Sequence, residues 1–236
     1  GVTKGQPPQS AVFVPMVVGE VVRGSISLQN VDRENAFTDS DLRLLTTITN
    51  SMSVALENAR LFDETNRLLK ETEQRTAELA VITSVQEGLA KELDMQAIYE
   101  LVGDKILKVF SAPNLVIRTF DHNTGLENWR YAIEKGERQY IDAKPFVWHS
   151  KLQIQTQKPL HINENYIETA KKYGGGITFV GQPTKSGIFV PMIVGGVVKG
   201  SISLQNVDKE FAYSDADLRL LTTITNSMSV ALENAR

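Results

Sequence analysis

The sequence predicts an α+β fold: a mostly antiparallel sheet with helices outside it, joined to a long helical linker. Three observations lead there. A fifty-residue text occurs twice, at 11–60 and 187–236. Each copy opens with two β-branched-rich runs around a glycine-containing pair, the pattern of a β-hairpin. Between the copies, residues 42–87 hold neither Gly nor Pro and keep a helical pattern.

The repeat sets the domain organisation. Aligned without a gap at an offset of 176, 40 of the 50 positions in 11–60 and 187–236 are identical, and the final twenty do not differ. That period is too long for a solenoid and suits a whole domain plus a linker. The expected organisation is 1–60 as the later part of a first domain, 61–93 as a helical linker and 94–236 as a complete second domain. A window from a longer array is expected. The hairpin of 1–60 is expected to be left with open strand edges.

The elements follow in order. Phe13–Val18 and Val21–Asn30 form the first hairpin through Gly19-Glu20, and Gly195-Gly196 turns the second. Val198, Ile202 and Leu204 alternate with Lys199, Ser201, Ser203 and Gln205, the period of a strand. Thr38 and Ser214, each with an Asp three residues on, open helices as N-caps, though Asp in place of Glu makes an imperfect capping box. In the linker, Leu61, Leu68, Ile82 and Leu89 recur at seven-residue spacing with Arg75 interrupting, and Leu79 and Leu93 add a second row. A parallel coiled coil or bundle is one reading and a helix covered by its own domain is the other. Gly88 is expected to loosen the helix. Asp94 then caps a helix from Met95 to Phe110. Strands at Leu115–Asp121 and Leu126–Ile133, a short helix near 147–156, a strand at Leu160–Asn163 and a helix at Asn165–Tyr173 complete the domain.

Composition narrows the chemistry. The net charge of −3 with scattered Lys and Arg gives no footprint for nucleic acid. No run approaches a membrane span. The absence of cysteine removes disulfides, thiolate metal sites and cysteine nucleophiles, and fits a cytoplasmic address. Lys185-Ser186 lacks the spacing of a phosphate-binding loop. The three histidines, His122, His149 and His161, show no metal-ligand spacing. Asp39, Asp41, Asp215 and Asp217 read as helix-start acids, and no nucleophile–base grouping is present, so enzyme chemistry is not expected.

Phe189-Val190-Pro191-Met192, Gly195-Gly196, Gly200-Ser201-Ile202-Ser203-Leu204-Gln205-Asn206 and Tyr213 with Asp217-Leu218 resemble the later half of a GAF domain. The linker text from Ala59 to Ala80 resembles connectors in bacterial multi-GAF signalling proteins. The resemblance implies a sheet of about six antiparallel strands, with terminal helices on one face and a ligand pocket under loops and short helices on the other. It implies cyclic nucleotides, bilins, haem or other small molecules as ligands, or none, in which case the domain is a dimerising spacer. Cyclic-nucleotide members pair a Lys with an Asp. Here the Lys position is Val31 or Val207 and the Glu position is Leu42 or Leu218, so that pair cannot form. Without cysteine, covalent bilin attachment and the family's methionine sulfoxide reductase chemistry are excluded.

On that frame, Arg118, Trp129, Arg130, His149, His161, Tyr166, Phe179, Ser201 and Ser203 are the candidate ligand-facing residues. Core packing for the aromatics, and solvent for the arginines, is the competing reading. The cofactor is left unspecified. Leu61, Leu68, Leu79, Ile82 and Leu89 are the candidate helix–helix contacts of a homo-oligomer. The expected function is a non-catalytic sensory module of a multi-domain bacterial signalling protein. The alternative is a structural repeat whose helices drive dimer or filament assembly without ligand.

Overall fold

The computed structural model describes residues 7–90, 94–110, 112–175 and 183–235. The chain forms two compact units, up to Arg75 and from Thr76 onward.

In the first unit, β1 (Ser10–Val18) and β2 (Val21–Asn30) pair antiparallel, and helix α1 (Asp39–Leu89) begins. Thr38 and Asp41 cap α1 reciprocally: the Thr38 N–H donates to Asp41 Oδ2 at 2.8 Å, and the Asp41 N–H to Thr38 Oγ1 at 3.3 Å. Val14 and Leu45 are the buried hydrophobic residues here, with Thr49 and Ser53 buried beside them in the sequence of α1. The Thr49 and Ser53 hydroxyls donate to the carbonyls four residues back, which satisfies them.

The second unit takes the end of α1, then α2 (Met95–Phe110), β3 (Asn114–Asp121), β4 (Leu126–Glu134), β5 (Glu137–Arg138) and β6 (Lys144–Pro145). After these come α3 (Trp148–Thr156), β7 (Leu160–Ile162), α4 (Tyr166–Lys172), β8 (Ser186–Val194), β9 (Val197–Asn206) and α5 (Asp215–Asn234). The strands make one seven-stranded antiparallel sheet, ordered β5-β4-β3-β9-β8-β7, with β6 on β4. The count exceeds six because β5 and β6 are two-residue pairings, too short to show alternation.

One sheet face carries Leu115, Ile117, Ile188, Val190, Ile202 and Leu204, packed against Ile98, Val102 and Ile106 of α2 and Leu221, Ile224 and Met228 of α5. Val85 and Leu89 of α1 belong to the same core. Leu89 was expected on a linker interface, but its spacing from Val85 turns it inward instead. Gly88 does not loosen the helix, which runs on to Leu89. A Cβ there would stand 2.9 Å from Leu101 Cδ1, so its bareness admits α2. Leu61, Leu68 and Leu79 are exposed, and Ile82 is half-buried.

Asp94 caps α2 by accepting from the Ala97 N–H at 2.8 Å. Ser214 and Asp217 form a complete capping box on α5, so Asp at the third position reaches back as well as Glu would. Asn30 and Asn206 have the same role. Each side-chain oxygen accepts from the N–H groups two and three residues on, at 2.8–2.9 Å. No helix among the described residues is long and apolar enough to cross a membrane.

Candidate functional site

Strand register decides which side chains share the face opposite the helices. Arg118 pairs with Ser201, Val116 with Ser203 and Asn114 with Gln205 across β3 and β9. Trp129 stands opposite Arg118 on β4, and Phe189 opposite Ser203 on β8. The helices α3 and α4 roof this face, where Ile162, Tyr166, Ala170 and Phe189 form a second apolar cluster with Trp148 beside it.

A cleft of about 430 Å³ opens between roof and sheet. Trp129, Phe146, Trp148, His149 and Tyr166 supply its aromatic walls, and Asn114, Gln139 and Gln205 its amides. Trp148 packs edge-on to Tyr166 at 5.7 Å and to His149 at 5.4 Å, and His149 lies 4.6 Å from the Phe189 ring. Gly175 completes the wall, since a Cβ there would meet Trp148 Cδ1 at 2.6 Å.

A buried polar group lies on the same sheet face. Arg118 and Glu127 are both buried, with Arg118 Nε 3.5 Å from Glu127 Oε1. The two meet as charges at that distance, without the geometry of an N–H···O bond. Arg118 Nε and Nη1, Glu127 Oε1, both amide atoms of Gln153 and Ser201 Oγ are buried without a hydrogen-bond partner. The guanidinium lies over the Trp129 ring at 4.6 Å. The Ser150 hydroxyl donates to Glu127 Oε2 at 2.6 Å, which ties the roof helix to the sheet.

The electrostatics follow from burial. Desolvation pulls the Arg118 pKa down, against the opposing pull of Glu127. His149 is held well below its ordinary value of 6.5, first by burial and then by the Arg118 charge, so it is neutral at physiological pH. Burial pushes the Tyr166 hydroxyl up to about 12, while Arg118 pulls the other way.

Of the candidates named from sequence, Trp129, His149 and Tyr166 line the cleft. Arg118, Ser201 and Ser203 are buried on the same sheet face. Arg118 is not solvated, because the residue facing it across β4 is Trp129. Two candidates fall elsewhere. Arg130 lies unpaired at the bulge between Trp129 and Tyr131, and its Nε donates to Thr119 Oγ1 at 2.9 Å. His161 pairs with Ile188 of the helix-side core, with Nε2 2.9 Å from the Tyr213 carbonyl and Nδ1 3.2 Å from Asp215 Oδ1. Arg130 is the extra residue of a β-bulge, where the register shifts between the Ile117–Tyr131 and Arg118–Trp129 pairs, and His161 follows from the phase of β7, where a step of one residue changes face. Phe179 lies outside the described residues. His122 sits in the turn after β3, with Nε2 2.7 Å from the Val198 carbonyl.

Sequence reasoning missed Trp148, Glu127, Ser150 and Gln153. Glu127 shares the alternation that places Trp129, so its face was readable from spacing. Its burial depends on α3, which spacing does not reveal. No cluster of His, Cys, Asp or Glu that could hold a metal occurs among the described residues.

The comparisons agree with this architecture. The model of the family described as GAF domain matches residues 92–233. No curated protein matches the chain. Among solved structures, a segment of a methyl-accepting chemotaxis protein aligns with TM-score 0.54 at 14% identity, covering 64% of this chain and 96% of its own. Free methionine-R-sulfoxide reductase from Neisseria meningitidis, in complex with its substrate, gives TM-score 0.53 at 13% identity, covering 67% and 90%. A protein in a far-red-absorbing dark state with bound biliverdin gives 0.51 at 14% identity, covering 66% and 98%. At such identities the likeness shows the fold alone. The family match spans more than half of the sequence, and the chain belongs to the GAF domain family.

Proposed function

We propose that the second unit is a non-catalytic sensory module that takes a small, flat, hydrogen-bonding molecule in the cleft between sheet and roof. The observation that carries this is the pairing of five aromatic side chains with three side-chain amides in one cleft. A planar ligand stacks on Trp129 and Trp148, and Asn114 and Gln205 read its polar edge. Binding biases α3 and α4, and the helices on the far side of the sheet carry that bias to a neighbouring module. The setting we infer is a cytoplasmic, multi-domain bacterial signalling protein, with neither nucleic acid nor membrane as a partner.

Native mass spectrometry of the chain purified without denaturation is the first test. The expected result is a retained small molecule, or a rise in melting temperature with members of a panel of nucleosides and aromatic acids, abolished by Trp129→Ala. An empty protein whose melting temperature no compound moves would sink the reading.

A second reading is favoured by the exposed Leu61, Leu68 and Leu79 on α1. These fit a homo-oligomer built through helices, with the domain as a spacer. Light scattering that returns a monomer at every concentration excludes it.

A further inference from the structure

We propose that the helix side of the sheet carries a second ligand site, independent of the aromatic cleft, which takes the carboxylate or phosphate of a small organic acid between Arg130 and Lys199.

A cavity of about 570 Å³ opens at the end of the domain where α2 begins and α5 finishes. Its floor is apolar, from Tyr99, Met192 and Leu232, which belong to the helix-side core or pack on it. Its polar lining comes from Arg130 and Asn128 of β4, Lys199 of β9 and Gln96 of α2. The aromatic cleft lies across the sheet, and the two cavities share no lining residue.

Two irregularities of the sheet place the cations here. Between the Ile117–Tyr131 and Arg118–Trp129 pairs, β4 has one residue more than β3, and that residue is Arg130. Between the Met192–Gly200 and Ile193–Val198 pairs, β9 has one residue more than β8, and that residue is Lys199. A bulge residue is released from strict alternation, so its side chain is aimed separately from its neighbours. Arg130 turns to Thr119, two residues beyond Ile117 of the helix-side core, and its Nε donates to Thr119 Oγ1 at 2.9 Å. The Arg130 carbonyl accepts from Gln96 Nε2 and Arg138 Nη2, each at 3.3 Å, which holds the bulge in place. The second bulge recurs in the first hairpin, where Arg23 is unpaired between Met16–Gly24 and Val17–Val22. Arg23 and Lys199 are counterparts in the repeat, so the side chain differs between the copies and the charge does not.

The state of the charges gives the sign of the ligand. Neither Arg130 nor Lys199 has a carboxylate partner among the described residues. Two acids of the cavity are already engaged. Asp94 Oδ1 accepts from the Ala97 N–H at 2.8 Å, and Asp121 Oδ1 from the N–H groups of Asn123 and Thr124 at 2.9 and 3.3 Å. Glu233, exposed on α5, is the acid that an incoming anion would face. Because β4 and β9 flank β3, the two cationic residues start from backbones roughly 10 Å apart, a span that two long side chains close around one ligand. Arg130 offers its remaining guanidinium N–H groups in a plane and Lys199 a mobile point charge. Over an apolar floor, that pair fits an oxyanion on a short carbon body. Gln96 and Leu232 line the same cavity, so a bound acid links the sheet to α2 and α5.

The test is a titration of the ¹⁵N-labelled chain with glutarate and, separately, with glycerol phosphate, followed by two-dimensional NMR. The expected result is a saturable shift of the Thr119, Asn128 and Lys199 N–H signals with at least one of them, weakened by added salt. The tighter probe names the anionic group. Arg130→Gln and Lys199→Gln should each weaken binding roughly tenfold, whereas Lys199→Arg should keep it. Glu233→Gln should tighten it. Melting temperatures of the variants separate loss of binding from loss of fold. No saturable shift with either acid overturns the proposal. So does binding that survives Arg130→Gln and Lys199→Gln together, or shifts centred on the aromatic cleft instead.

Discussion

Arg118 and Glu127 are two charges removed from water that do not fully satisfy each other. A 3.5 Å separation and three unpartnered atoms leave the pair dependent on mutual neutralisation. Arg118→Met should therefore cost about 3–5 kcal/mol, because it leaves a buried carboxylate without a counter-charge. Arg118→Met combined with Glu127→Gln should recover most of that loss, since the amide oxygen still accepts from Ser150. Urea denaturation of both variants decides it, and equal loss in the two would mean that packing rather than charge sets the cost. His149 gives a pH signature. Its folded value lies well below the 6.5 it has when unfolded, so below pH 6.5 the unfolded chain takes up a proton that the folded chain refuses. Its contribution to stability is complete above pH 6.5 and declines as the pH falls, at up to about 1.4 kcal/mol per pH unit. His149→Gln should flatten the denaturation midpoint between pH 7 and pH 5.5, and a slope unchanged from wild type would reassign the effect to other groups.

The contact between α2 and β4 depends on one missing side chain. A Cβ on Gly103 would stand 2.6 Å from the Tyr131 ring, whose hydroxyl donates to Asp104 Oδ1 at 2.7 Å and whose face carries Arg138 at 3.8 Å. The ring is held on both sides and cannot swing away. Gly103→Ala should thus destabilise the domain by about 1–3 kcal/mol despite its better helix propensity, read as a lower urea midpoint. A stabilised variant would show that the ring yields. Elements of this kind were largely legible in the sequence. Met95–Phe110 shows its bounds because Asp94 offers a cap and Pro113 a stop soon after the helix ends. The second hairpin is visible from alternation and Gly195-Gly196, which take φ of 57° and 76°. What spacing could not supply was the bulge at Arg130, the phase of β7 that turns His161 to the helix side, and the depth to which α3 covers Arg118 and Glu127. Both are properties of neighbours distant in sequence.

At the scale of the molecule, one text occupies two surroundings. The last twenty residues of the copies are identical, so neither propensity nor local pattern accounts for their different exposure. Only the layers placed against them do. A consequence reaches into covalent chemistry. Trypsin cuts after Arg43, Arg60 and Arg219, and the stretches Leu44–Arg60 and Leu220–Arg236 have the same composition. One carries Met52, which faces solvent, and the other Met228, which does not. Under mild peroxide the thioether of Met52 reacts while that of Met228 is shielded. The shared peptide should therefore gain one oxygen in half of its molecules and then pause, so that a single mass ratio records how many of the two methionines are shielded.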